Sequence, residues 1–269
     1  MMAGAKGALY AVALSAIVCA APAYAGRSCE ERAVTQVAFA DAMATGQAVQ
    51  TRLDASGGDV ALIARQGQDL SKYGLKYSHA GLAFRSAAGQ PWRVYELLND
   101  CGTADSDLWV DGLANFFLDD PFTLDALLIV PPPKVAAKLK ETLGDTASLR
   151  RFHQNKYNMV AYPFSTRYQN SNQWVLEVLA SAEASDIKVR TREQAQAWLK
   201  MAGYQPTEMH IGPMTRLGGR MFKANVAFDD HPSALRFSDR INAVTVDSIL
   251  AFVRARDEGW SVQEIKGRR

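Results

Sequence analysis

The chain has 269 residues, with 30 Lys and Arg against 28 Asp and Glu, for a formal net charge of +2. That near balance gives no electrostatic reason to expect a nucleic acid partner. With 48% hydrophobic residues, the chain can bury one large core or two small ones.

Lys6 precedes an almost wholly apolar stretch over residues 7–20, and Ala23-Tyr24-Ala25 follows as a small-x-small site. This pattern predicts a signal peptide over residues 1–25, cleaved near Ala25, and a periplasmic or secreted protein. The apolar run is shorter than the roughly 20 residues a spanning helix needs. No later stretch is long and apolar enough either, so no transmembrane segment is expected in the mature chain. Cleavage would remove Lys6 and no acid, leaving 29 basic against 28 acidic residues, or +1. Two cysteines then remain, Cys29 and Cys101. An oxidising compartment allows them one pairing, a Cys29–Cys101 disulfide. The alternative is that Cys101 is a free reactive thiol.

Residues 30–53 read as a helix, with Val34, Val37, Phe39, Met43 and Val49 at roughly helical spacing. Ser56-Gly57-Gly58 stops it. Residues 59–64 read as a short buried strand, and residues 65–76 as a polar loop. Residues 78–85 and 92–98 have strand character, and a glycine-containing turn joins them as an antiparallel hairpin. Residues 105–118 suit a helix. Residues 124–130 form an apolar strand ended by Pro131, Pro132 and Pro133, which read as a rigid turn into a helix over 135–143. A short strand or turn is expected around 157–164. Helices are expected over 172–183 and 192–201, near 214–221, and over 246–256. Strands before Pro131 and helices after it indicate an α+β domain, with a small antiparallel sheet packed against helices.

Three segments carry candidate chemistry. Ser78-His79-Ala80-Gly81-Leu82 starts a strand with a histidine, and Gly81 keeps its side clear for close approach. Trp92-Arg93-Val94-Tyr95-Glu96 lies on the next strand, where Glu96 can orient the His79 imidazole. Asn170-Ser171-Asn172-Gln173-Trp174 puts a hydroxyl at the predicted start of an apolar helix. A hydroxyl nucleophile needs a base within hydrogen-bond reach, and the base needs an orienting partner. A helix N-terminus adds N–H groups and partial positive charge that favour a developing anion. In this reading Ser171 attacks, His79 takes its proton and Glu96 holds His79. Asn170, Asn172 and Gln173 would bind or help stabilise the oxyanion. The plainer reading makes Ser171 a helix N-cap. His153, His210 and His231 lack metal-ligand spacing, so no metal and no cofactor is expected. Asp229-Asp230-His231 reads as a strand end that caps a helix near Pro232.

The histidine hairpin resembles that of the circularly permuted branch of the NlpC/P60 papain-like superfamily. Ser171-Asn172-Gln173-Trp174-Val175 is similar to the branch's Cys-polar-x-aromatic-Val helix start, with serine in place of cysteine. Over nearly the whole mature chain the sequence resembles exported bacterial proteins grouped as domain of unknown function 2145. Tyr77 to Gly81, Leu97 to Cys101 and the stretch from Tyr162 to Trp174 carry that likeness. Together these imply a permuted papain-like arrangement in a single domain over 26–269, with 186–269 a family-specific elaboration. They also imply a hydrolase or acyltransferase acting on amide or ester bonds of a small-molecule, peptide or lipid-linked substrate in the cell envelope. The alternative is a non-catalytic periplasmic binding or accessory protein using the same cleft, since serine is far less readily ionised than cysteine.

Overall fold

The computed structural model describes residues 33–118, 121–256 and 259–267. The predicted signal peptide and Cys29 lie outside the described residues.

A six-stranded sheet in the order β4-β3-β2-β1-β5-β8 organises the molecule. Its strands are β1 (Val60–Gln66), β2 (His79–Phe84), β3 (Arg93–Asn99), β4 (Ser106–Gly112), β5 (Thr123–Val130) and β8 (Ser261–Ile265). Every neighbouring pair is antiparallel. The fold is α+β, as the element pattern predicts.

Strand alternation divides the core in two. On one face, Leu62, Ala80, Leu82, Leu97 and Leu127 pack against helices α3 (Pro133–Leu143) and α5 (Ser171–Glu183). On the other, Ala61, Ile63, Ala83, Val94 and Leu128 pack against α1 (Gln36–Ala55) and α2 (Leu113–Leu118). Around the first core stand α4 (Thr146–Arg151), α6 (Arg192–Met201) and α9 (Val246–Arg254). A small hairpin of β6 (Thr207–His210) and β7 (Arg240–Ala243), with α7 (Pro213–Phe222) and α8 (Ser233–Arg236), carries a third, minor cluster around Ile211, Phe228 and Ile241.

Four expectations need correction. The predicted helix over 105–118 is a strand followed by one short helix. Gly102 at φ 76° turns the chain after β3, and β4 pairs back along all of β3, so hairpin pairing overrides local helical spacing. Helix α1 buries Ala42, Thr45, Gly46, Val49 and Leu53, while Val34, Val37, Phe39 and Met43 are exposed. Its contact face is the small-residue one, because a Cβ on Gly46 would lie 3.0 Å from the Ala114 backbone of α2. Arg65 and Gln66, assigned to a polar loop, are buried at the end of β1. Finally, Asp230 does not cap α8. Its carboxylate accepts from Tyr162 N at 2.8 Å and contacts His231, and Pro232 stands at the N-cap. Strand β8, which no sequence pattern announced, adds the last strand beside β5.

Candidate functional site

The hairpin prediction holds. β2 and β3 pair through Leu82 with Tyr95, Ala83 with Val94 and Phe84 with Arg93. His79 and Glu96 point to the same face, and His79 Nε2 lies 2.5 Å from Glu96 Oε2. Glu96 is almost completely buried. Gly81 makes this contact feasible, since a Cβ there would sit 2.7 Å from Val94 Cγ1 and 3.4 Å from Glu96 Cβ. Burial holds the His79 pKa below the usual histidine value, while the Glu96 carboxylate pulls it back up.

The pair belongs to a polar row across four adjacent strands. Arg65 of β1 pairs in register with His79, and Asp111 of β4 pairs with Val94, on the face that Glu96 shares. Phe116 of α2 covers the row. Its ring lies 5.8 Å from the His79 ring and 5.0 Å beneath the Arg65 guanidinium. Burial, followed by the neighbouring Glu96 charge, raises the Asp111 pKa, against a hydrogen bond from Asn115. A cavity of about 210 Å³ opens here, with Arg65, Glu96, Asp111, Asn115 and Phe116 among its walls.

Ser171 belongs to the helix that packs on the other face of the sheet. It is the first residue of α5, whose N-cap is Asn170, not Ser171: the Asn170 carboxamide accepts from Gln173 N at 2.7 Å. The Ser171 hydroxyl lies 3.5 Å from the Tyr157 hydroxyl, and Tyr157 packs against the core on the α5 side of the sheet. Burial raises the Tyr157 pKa, with Ser171 opposing. His79 Nε2 thus contacts Glu96, and the Ser171 hydroxyl contacts that of Tyr157. The structure joins His79 to Glu96, within a polar row the sequence reading missed.

The three predicted binding side chains anchor the helix. Asn172 accepts from Ala80 N at 2.9 Å and donates to Ser78 O at 3.2 Å, clamping α5 to the backbone on either side of His79. Asn170 Nδ2 donates to Val244 O at 3.3 Å, and Gln173 Nε2 donates to Pro163 O at 3.2 Å. Cys101 is disulfide-bonded, which removes it as a free thiol. Its predicted partner Cys29 lies outside the described residues.

A family model described as an uncharacterized protein conserved in bacteria (DUF2145) matches residues 52–253, from the last turn of α1 to the end of α9. The chain belongs to this family. The DUF2145 match includes the whole polar row and the Asn172 clamp. No curated protein and no solved structure matches the chain. Among the described residues, no helix is long and apolar enough to cross a membrane, and no group of three or more His, Cys, Asp or Glu is placed to hold a metal ion.

Proposed function

We propose that this DUF2145 chain is an exported binding or accessory protein of the cell envelope, which holds a small polar ligand over the His79–Glu96 row. The supporting observation is the cavity over Glu96 and Asp111, on the opposite face of the sheet from the core that α5 covers. Two carboxyl groups and the Asn115 amide there suit a ligand that donates hydrogen bonds, an amine or a polyol. His79 then serves to orient Glu96, not to activate a hydroxyl.

Calorimetry against small amines and polyols tests this. Asp111→Asn and Glu96→Gln should weaken binding about tenfold or more, the worth of a hydrogen bond to a charged group, and Ser171→Ala should leave it unchanged.

One observation favours a second reading, a permuted papain-like hydrolase or acyltransferase with Ser171 as nucleophile. The Asn172 clamp holds the start of α5 against the strand that carries His79, and Glu96 occupies Nε2, leaving Nδ1 to take a proton. That chemistry requires the Ser171 hydroxyl to leave Tyr157 and reach the imidazole. Labelling by a fluorophosphonate, abolished by both Ser171→Ala and His79→Ala, would establish the enzyme and overturn the binding protein.

A further inference from the structure

Helix α7 is built inside out. Met214, Leu217 and Met221 fall within about 60° of one another around its axis, yet all three are exposed, Met214 at 80%. The side facing the protein carries Arg216 instead. Arg216 is buried over the Phe228 ring and donates to Ile211 O at 2.8 Å, Arg236 O at 3.0 Å and Arg240 O at 2.9 Å. Those bonds fix the rotation of the helix, so its apolar side cannot turn inward without stranding a buried guanidinium. The segment gripped by Arg216 continues into Phe237, which is 81% exposed. Water-facing apolar side chains clustered on one helix mark a surface that something else covers.

The charge around this face indicates what covers it. Residues 211–228 include Arg216, Arg220 and Lys223 and no acid. Arg236, also exposed, lies over the Phe237 ring at 5.6 Å. The face consists of the exposed apolar side chains of one helix and one exposed ring. Flexible methionines with flanking arginines suit a soft, flat, negatively charged surface. We propose that α7 and Phe237 dock the protein onto an anionic lipid bilayer, with Met214, Leu217, Met221 and Phe237 entering the headgroup boundary and Arg220 and Arg236 meeting lipid phosphates. The docking is peripheral, because α7 is ten residues long and lies along the surface.

The test uses the full chain with vesicles of phosphatidylglycerol and phosphatidylcholine, and with vesicles of phosphatidylcholine alone. Hydrogen exchange followed by mass spectrometry should slow in peptides from α7 with the anionic vesicles only. This localised readout separates α7 from any binding by the apolar N-terminal segment. In flotation, Met214→Ser/Leu217→Ser/Met221→Ser should lower the bound fraction about tenfold or more. Arg220→Gln and Arg236→Gln should each weaken binding about fivefold. Circular dichroism checks that the variants remain folded. The proposal is overturned if α7 exchange in the unaltered protein ignores the anionic vesicles, or if the folded triple variant floats like the parent. It is equally overturned if α7 becomes protected simply on raising protein concentration without lipid, which would make a second copy the occupant.

Discussion

Asn172→Ala probes the joint between the two halves of the site. In the sheet, β2 and β3 are paired only from Leu82 onward, and beyond that point the Asn172 carboxamide takes the place of a strand beside β2. Truncation removes an acceptor 2.9 Å from Ala80 N and a donor 3.2 Å from Ser78 O. Each bond is worth about 0.5–1.5 kcal/mol net, and a buried amide left without a partner costs about 1–3 kcal/mol. Ala80 is buried, so water cannot readily replace the lost acceptor. The expected loss is therefore about 2–4 kcal/mol, read as a lower urea midpoint at unchanged slope, with faster amide exchange at Ala80. Asn172→Asp serves as the control. It keeps an acceptor for Ala80 N but sets two oxygens face to face at Ser78, and protonation of the new carboxyl restores a donor. Its deficit relative to the parent should shrink as pH falls toward about 4. A loss under about 0.5 kcal/mol for Asn172→Ala, with Ala80 exchange unaltered, would show that the Asn172 clamp carries no weight in holding α5.

The cluster behind the site and the titration of its histidine give two more tests. Glu177 of α5 is fully buried and bound by Arg192 Nε at 2.7 Å, Gln169 Nε2 at 2.7 Å and Gln196 Nε2 at 2.8 Å. Glu177→Ala should destabilise by about 3–5 kcal/mol, because it leaves the Arg192 charge buried without its counter-ion. If chemical denaturation shows Glu177→Ala within about 1 kcal/mol of the parent, the pairing carries no such weight. Burial depresses the pKa of His79, and of His153, below the ordinary value of 6.5. The unfolded chain therefore takes up protons first as pH falls through 6.5, and stability is lost on acidification, by at most about 1.4 kcal/mol per pH unit for each histidine. Urea midpoints should fall between about pH 6.5 and pH 5, and His79→Asn should flatten the slope. A midpoint that is level or rises on acidification over that range would refute the buried, neutral imidazole.

The sequence was most legible where local rules act alone. Two segments of strand character on either side of a glycine-containing turn located β2 and β3, the prolines at 131–133 marked the strand-to-helix turn, and α6 spans the residues its periodicity indicates. Gly81 beside His79 was readable as a close approach because only a missing side chain permits one. The His79–Glu96 contact followed from placing two polar residues near each other in one hairpin. Long-range relations were not legible. Arg65 looked like the start of a loop, although its position two residues beyond Ile63 on an apolar strand sets it on the same face as His79. Asp111 sat inside an apparent helix until pairing with β3 turned that stretch into β4. Ser171 read as a candidate nucleophile because it opens an apolar helix, with His79 as base and Glu96 as its orienter. The face each element turns to the sheet depends on strand parity and on where α5 packs, and neither is written in the local pattern.

The polar row is expensive for the fold, and that bears on its purpose. Arg65, His79, Glu96 and Asp111 stand side by side on a face otherwise closed by Ala61, Ile63, Ala83, Val94, Phe116 and Phe117. Removing charged groups from water costs several kcal/mol each before pairing returns part of it, and apolar residues of similar volume in such positions are often neutral or stabilising. Nothing in the packing demands charge here. The same face accepts leucine on β5 and isoleucine on β1, three and two strands away from Glu96. The row is also open to the cavity beside Asn115. A sheet that gives up apolar core for four ionisable side chains, with Arg65, Glu96 and Asp111 lining a cavity, supports the proposal of a ligand held there. The Asn172 clamp fits the same logic, because fixing the backbone on both sides of His79 fixes the imidazole that orients Glu96.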